Sequence, residues 1–96
     1  MGIGFAPYSV GKGGALSLVR SLALEHCRDG ITANSVALGV MDSVREETVA
    51  AFRKVLPVGR LGTTDDGAAA CLWLASDEAS WVTGQTIGLN GGAFTS

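Results

Sequence analysis

A helical pattern gives way to a β-prone run at residues 29–37, which read Asp29-Gly30-Ile31-Thr32-Ala33-Asn34-Ser35-Val36-Ala37. Gly30 suits the left-handed position that ends a helix, and the residues after it have the composition of a short strand. Leu38-Gly39 then interrupts the run. A helix followed at once by a strand is the repeating step of an α/β protein, so this stretch decides the fold class.

Before this stretch, residues 8–27 show a long helical pattern. An apolar stripe runs along them, and two more leucines widen it: Ala15, Leu18, Val19, Leu22 and Ala23, with Leu16 and Leu24. A helix that is apolar over most of its circumference packs on two sides. We therefore expect a sheet on one side of this helix and a partner helix or a second subunit on the other.

Two further helices are predicted after the first strand. Ser43 begins a capping-box pattern before an apolar helical stripe that Pro57 ends. Thr63 is the expected N-cap of the third helix, and Asp65 and Asp66 follow in its first turn, where the helix dipole favours negative charge.

Residues 85–89 form a second β-prone run, and a turn signal follows at Asn90-Gly91-Gly92. The predicted order is helix, strand, helix, helix, strand, and strands separated by helices pair in parallel. Two parallel strands do not make a stable sheet alone. We therefore expect all 96 residues to form the C-terminal part of a single doubly wound α/β domain.

Composition and charge argue against several kinds of partner. The apolar content is 47%, the charged content is 17% and the net charge is −2, without a basic run that would favour nucleic acid. No apolar stretch is long enough for a membrane span, and no signal-peptide pattern is present, so a cytoplasmic location is expected. Cys27 and Cys71 fall in helical apolar patterns, and we expect both to be small buried side chains, not disulfide partners or metal ligands.

Tyr8 and Lys12 are the first candidates for a chemical role. They lie four residues apart, which places a phenol and an ammonium on one face of a helix. A nearby cation favours the phenolate form, which makes a tyrosine a usable general acid or base. The alternative is an exposed pair at the start of a helix with no chemistry, and the spacing alone does not decide between them.

Two other polar residues have expected roles. Asn34 is predicted to satisfy buried backbone groups near the end of the first strand, and the alternative is a functional amide. Arg60 either pairs with a carboxylate across a subunit or domain surface or stays solvated, and the sequence leaves both alternatives open.

An ordered set of motifs resembles one known family. After Tyr8-x-x-x-Lys12 and the long Ala/Leu helix come these patterns, in order: Gly30-Ile31-Thr32-Ala33-Asn34, Gly39, Pro57-x-Gly59-Arg60-Leu61-Gly62, Leu74-Ala75-Ser76-Asp77, Val82-Thr83-Gly84-Gln85 and Asn90-Gly91-Gly92. The set resembles the C-terminal part of the short-chain dehydrogenases/reductases. It is most similar to the branch with 3-oxoacyl-carrier-protein reductases and sugar or alcohol dehydrogenases, which implies a Rossmann-like fold.

The resemblance implies hydride transfer between NAD or NADP and a carbonyl or alcohol substrate. Tyr8 matches the catalytic tyrosine, which protonates the carbonyl oxygen or deprotonates the alcohol. Lys12 matches the lysine that assists this tyrosine and hydrogen-bonds the nicotinamide ribose. Four residues stand at positions of the loop that holds the nicotinamide carboxamide, and no metal is implied: Leu38, Gly39, Met41 and Ser43. The family usually has proline in place of Leu38 and threonine in place of Ser43.

The resemblance also implies self-association, and it leaves open whether this chain is an enzyme. Residues 8–27 match a helix that builds the subunit interface, which predicts a homo-oligomer. No Gly-rich dinucleotide fingerprint follows a first strand, and the family's catalytic serine and asparagine have no counterpart here. We therefore expect the N-terminal dinucleotide-binding half to be absent and the isolated chain to be inactive. The alternative to an enzyme is a truncated, catalytically incomplete family member that serves, if at all, as an association module.

Overall fold

The computed structural model describes residues 6–94, which form an α/β arrangement of three helices and two strands. The elements in order are α1 (Ala6–His26), β1 (Ser35–Leu38), α2 (Glu46–Val55), α3 (Thr64–Leu74) and β2 (Thr86–Leu89). Short 3-10 turns follow α1 and α3, at Cys27–Asp29 and Asp77–Ala79. The predicted order of helix, strand, helix, helix, strand is confirmed.

The described residues fall into two compact units. The first contains residues 6–35 and 80–86, and the second contains residues 36–79 and 87–94. Each strand begins in the first unit and continues in the second, and the other elements lie wholly within one unit.

The two strands pair in parallel. The Ser35 amide donates to the Gln85 carbonyl at 2.9 Å, and the Gly39 amide donates to the Leu89 carbonyl at 2.8 Å. Both strands therefore run in the same direction. The strand predicted over residues 31–37 begins later, at Ser35, and it includes Leu38, so the expectation that Leu38 interrupts it is wrong. Just before the strand, the Ala33 amide donates to Thr83 Oγ1 at 3.1 Å, and the Ala33 carbonyl accepts from the Gly84 amide at 2.8 Å.

In the first unit, α1 ends as its sequence predicts. Gly30 adopts a left-handed φ of 78°, and its amide donates to the Cys27 carbonyl at 3.2 Å. Ala23 is only 2% exposed, and it lies beside Gly84, where an added Cβ would meet Ala23 Cβ at 3.5 Å. No helix within residues 6–94 is both long and apolar enough to cross a membrane.

Most of the large apolar side chains of α1 remain exposed, although the stripe is helical as predicted and Leu16 and Val19 are half-buried. The exposed ones are Tyr8, Val10, Leu18, Leu22 and Leu24. The prediction that Cys27 and Cys71 are buried is wrong, because both are exposed. α1 and α3 carry more apolar residues than the described part of the chain covers, and Cys71 stands next to Leu72, which is also exposed.

The second unit packs around a small core formed by Leu56, Leu61 and Ala79. The predicted cap of α3 is confirmed, because Thr63 Oγ1 accepts from the Asp66 amide. The predicted cap of α2 at Ser43 is wrong, since the helix starts at Glu46 and no side chain caps it.

The hydrogen bonds before α2 explain why the helix starts at Glu46 without a cap from Ser43. Residues 41–44 form a turn in which the Val44 amide donates to the Met41 carbonyl at 3.4 Å, so Ser43 lies inside this turn. The Arg45 carbonyl then accepts from the Thr48 amide at 2.9 Å and from the Thr48 hydroxyl at 2.6 Å. The backbone bonds therefore place the first turn of α2 after the capping-box serine.

Candidate functional site

The first turns of α1 bring Tyr8 and Lys12 together. Lys12 Nζ lies 5.7 Å from the centroid of the Tyr8 ring, within the range of a cation–π contact. Tyr8 is 62% exposed and Lys12 is exposed as well. The predicted placement on one helix face is confirmed, and both polar groups are accessible to a ligand in the first unit.

The loop after β1 lies in the second unit, and backbone hydrogen bonds hold it on two sides. The Gly39 amide donates to the Leu89 carbonyl at 2.8 Å on one side. On the other side, the Gly62 amide donates to the Val40 carbonyl at 2.9 Å, and the Asp42 amide donates to the Gly62 carbonyl at 2.8 Å. Met41 stands between these last two bonds in an isolated parallel bridge with Gly62.

Two glycines allow this loop to approach its neighbours closely. A Cβ at Gly39 would lie 2.9 Å from Asn90 Cα and 3.3 Å from the Leu89 carbonyl oxygen, so a side chain there would press on backbone. A Cβ at Gly62 would lie 2.7 Å from Met41 Sδ, which is part of a flexible side chain. The two glycines therefore fix the loop through close packing as well as through hydrogen bonds.

The predicted site residues thus form two sets, one in each unit. Tyr8 and Lys12 are in contact in the first unit, whereas Leu38, Gly39, Met41 and Ser43 follow one another in the loop of the second. Leu38 is 55% exposed and Ser43 is exposed, while Met41 is half-buried beside Gly62.

Arg60 and Asp66 form an ion pair near this loop, and the sequence did not predict that these two residues pair with each other. Arg60 Nη1 donates to Asp66 Oδ2 at 2.7 Å, and Arg60 Nη2 donates to Asp66 Oδ1 at 3.0 Å, a bidentate arrangement. The Thr63 amide also donates to Asp66 Oδ2 at 2.9 Å. We call residues 60–66, closed by these bonds, the Arg60–Asp66 clasp.

The charges of the clasp reinforce each other. The hydrogen bonds from Arg60 hold the pKa of Asp66 well below its usual range, and the Thr63 amide adds to this effect. The same carboxylate raises the pKa of Arg60. The pair is therefore ionised at neutral pH, with Arg60 57% and Asp66 34% exposed.

A sequence signal for the clasp does exist. Thr63 and Asp66 have the spacing of a capping box, with aspartate in place of the usual glutamate, and both reciprocal bonds form. The sequence predicts only a dipole role for Asp66, and for Arg60 it leaves open either pairing across a subunit or domain surface or solvation. Arg60 pairs with a carboxylate of its own chain.

Asn34 bonds to backbone groups as predicted, but it lies just before the first residue of β1 and not near the end of the strand, and one of its bonds is half-buried and the other exposed. Its Nδ2 donates to the Val82 carbonyl at 3.0 Å, and its Oδ1 accepts from the Gln85 amide at 3.0 Å. These bonds tie the approach to β1 to the approach to β2 within the first unit. Among residues 6–94, no group of three or more His, Cys, Asp or Glu side chains is placed to hold a metal ion.

Comparison with known proteins identifies the family. Residues 2–94 match a family model described as enoyl-(acyl carrier protein) reductase. The chain belongs to the short-chain dehydrogenase/reductase family. The match extends over both candidate sets of site residues, and the resemblance inferred from the motifs is confirmed.

Several curated members of the short-chain dehydrogenase/reductase family are similar to this chain. It is 41% identical over 95 residues to 3beta-hydroxysteroid dehydrogenase 1 of Eggerthella lenta, covering 92% of this chain and 36% of that protein. It is 42% identical over 100 residues to an acetoacetyl-CoA reductase of Shinella zoogloeoides, covering 96% and 41%. It is 38% identical over 96 residues to a 3-oxoacyl-(acyl-carrier-protein) reductase of Salmonella typhimurium, covering 95% and 39%. The chain therefore spans well under half the length of these relatives.

Proposed function

We propose that this chain carries the proton-transfer end of an NAD(P)-dependent oxidoreductase site that acts on a carbonyl or alcohol substrate. The observation that carries the proposal is the exposed Tyr8–Lys12 contact at the start of α1, in a chain that belongs to this family. Tyr8 is the general acid or base, and Lys12 assists it.

Each side chain of the pair has a defined task. In the reducing direction, the Tyr8 hydroxyl donates its proton to the carbonyl oxygen of the substrate. In the oxidising direction, the phenolate accepts the proton of the substrate alcohol. Lys12 Nζ lies 5.7 Å from the centroid of the Tyr8 ring, and from there the ammonium assists the proton transfer through its positive charge.

In each unit, taken by itself, the candidate residues offer groups that suit the nicotinamide end of NAD or NADP. The exposed phenol and ammonium offer hydrogen bonds to ribose hydroxyls. The loop of Leu38, Gly39, Met41 and Ser43 offers backbone groups, an apolar side chain and a hydroxyl to a carboxamide. When bound, the dinucleotide supplies or accepts the hydride. The 96 residues contain no G-x-G-x-x-G pattern to hold the pyrophosphate, so we propose that the phosphate site comes from other sequence.

The test compares the 96-residue chain with a protein that joins it to the dinucleotide-binding half of a relative, such as the Salmonella reductase. Binding of NADH and NADPH is followed by the fluorescence of Trp73 and Trp81, and turnover by the absorbance of the reduced nicotinamide. We expect no saturable binding by the chain alone, and both binding and carbonyl reduction by the joined protein. Cofactor binding without turnover on a panel of ketones, oxoacyl thioesters and alcohols would reject the proposed activity. Saturable micromolar binding by the chain alone would contradict the proposal that the phosphate site comes from other sequence.

A second candidate function is association through α1, without catalysis by this chain. The observation that favours it is the exposed apolar surface of this helix, where Val10 is 74%, Leu18 is 58% and Leu24 is 79% exposed. Large exposed apolar surface marks protein interfaces. The partner is a second copy of this chain or a longer relative with the same helix.

Sedimentation over a range of concentrations tests this candidate. We expect Leu24→Glu to weaken self-association by about tenfold or more, because burying one leucine contributes about 1.5–3 kcal/mol. Leu72→Glu is the matched control, since Leu72 is 72% exposed on α3. An unmodified chain that stays monomeric at high concentration, or equal effects of the two substitutions, would contradict association through α1.

A further inference from the structure

We infer that Arg60 and Asp66 are positioning residues for the loop that follows β1: their ion pair fixes Gly62, and Gly62 holds the backbone on both sides of Met41. The inference rests on the proposed function, because there this loop binds the nicotinamide end of the cofactor. Neither residue of the pair is proposed to touch the reacting atoms.

The first step is the closure of the clasp around Gly62. The Asp66 carboxylate accepts from both terminal nitrogens of Arg60 and from the Thr63 amide. Arg60 Nη1 also donates to the Leu61 carbonyl at 3.0 Å. The residues immediately before and after Gly62 are thus both bonded to the ion pair, so the pair determines how Gly62 presents its own amide and carbonyl.

The second step is the connection from Gly62 to the loop. Gly62 uses its amide and its carbonyl on two different residues, Val40 and Asp42, at 2.9 Å and 2.8 Å. A rotation of either peptide plane next to Gly62 alters one of these bonds, and a shift of Gly62 alters both. The close approach of Gly62 to Met41 Sδ makes the Met41 side chain sensitive to the same shift.

The third step is the free space around these residues. Arg60, Gly62 and Asp66 line a cavity of about 220 Å³ together with Val40 and Met41. Packed interiors hold side chains in place by contact, and on the side of this cavity the loop lacks such contact. Hydrogen bonds are therefore needed to keep the loop in one position, and the clasp supplies them.

Two conservative substitutions separate positioning from simple charge pairing. Arg60→Lys keeps the positive charge but loses the planar bidentate fork. Asp66→Asn keeps an acceptor oxygen for Thr63 but loses the negative charge. Arg45→Lys is the matched control, because Arg45 also pairs with a carboxylate, Glu47 at 3.9 Å, on an exposed surface.

The test uses the full 96-residue chain with ¹³C-methyl-labelled methionine and records the Met41 methyl resonance, which Met41→Leu distinguishes from that of Met1. We expect both clasp variants to shift the Met41 resonance and to speed amide exchange of Gly62 and Asp42 by about tenfold, as the loss of one hydrogen bond does. The Gly84 amide, which bonds to Ala33 in the first unit, should exchange as before.

An unchanged Met41 resonance with unchanged amide exchange in both clasp variants would overturn the inference. Equal acceleration at Gly84 would overturn it as well, because it would show general loosening. In the joined protein, both clasp variants should raise the cofactor KM about tenfold with kcat changed less than about twofold.

A response of Met41 without any change in the cofactor KM would overturn the link to cofactor binding. That result is distinct from failure of the proposed function, which is decided by turnover and by Tyr8, a residue outside the clasp.

Discussion

In a protein that joins this chain to a dinucleotide-binding half, Tyr8→Phe will lower kcat by about 10²–10⁴-fold, the usual contribution of a positioned general acid or base. Phenylalanine keeps the aromatic ring that Lys12 Nζ contacts at 5.7 Å, and it removes only the hydroxyl. Because Tyr8 is 62% exposed, the helix and the core should be unaffected. The dissociation constant of the cofactor should therefore change little while turnover is lost.

Variants of Lys12 test whether turnover depends on Lys12 as well as on Tyr8. Lys12→Arg keeps a cation four residues from Tyr8, whereas Lys12→Met keeps the apolar stem and removes the charge. We expect Lys12→Met to lower kcat and to raise the cofactor KM, since the ammonium serves both the phenolate and the ribose, and Lys12→Arg to be less severe. Steady-state kinetics and cofactor titration measure these effects. Turnover that survives Tyr8→Phe would contradict the assignment of Tyr8 as the proton donor.

The parts of the fold that the sequence predicts are those that depend on local chemistry. Gly30 ends α1, and Thr63 caps α3, because each motif forms its bonds within a few residues. Ser43 has the same kind of motif, yet the turn at residues 41–44 precedes the helix and displaces its start. A local pattern therefore predicts that a helix exists more securely than it predicts the residue where it begins.

In the candidate site, too, local contacts follow from the sequence and contacts between distant residues do not. The contact between Tyr8 and Lys12 follows from a spacing of four residues on a helix, which the sequence shows directly. The bridge between Met41 and Gly62 joins residues that are distant along the chain, and no local pattern predicts it. The prediction that Cys71 is buried was wrong for a related reason. An apolar stripe shows that one face of a helix suits burial, but it does not show that residues 6–94 bury that face.

Gly39→Ala should destabilise the chain by about 1–3 kcal/mol, the usual cost of overpacking. The added Cβ would lie 2.9 Å from Asn90 Cα and 3.0 Å from Asn90 Cβ. Backbone cannot move aside as the end of a flexible side chain can, so β1 and β2 must separate where the Gly39 amide meets the Leu89 carbonyl at 2.8 Å. For a small domain this loss is a large fraction of the total stability. Urea denaturation followed by tryptophan fluorescence measures it.

Gly67→Ala provides the matched control, because the same atom is added to the same unit with the opposite expected sign. A Cβ at Gly67 would lie 3.8 Å from Leu38 Cδ2, an ordinary van der Waals contact, and Gly67 stands inside α3. Alanine should therefore stabilise the chain by up to about 1 kcal/mol, the helix preference of alanine over glycine. If Gly39→Ala stabilised the chain as well, the close approach of Gly39 to Asn90 would not exist in the folded protein. The register that pairs Gly39 with Leu89, and with it the position of the proposed cofactor loop, would then be wrong.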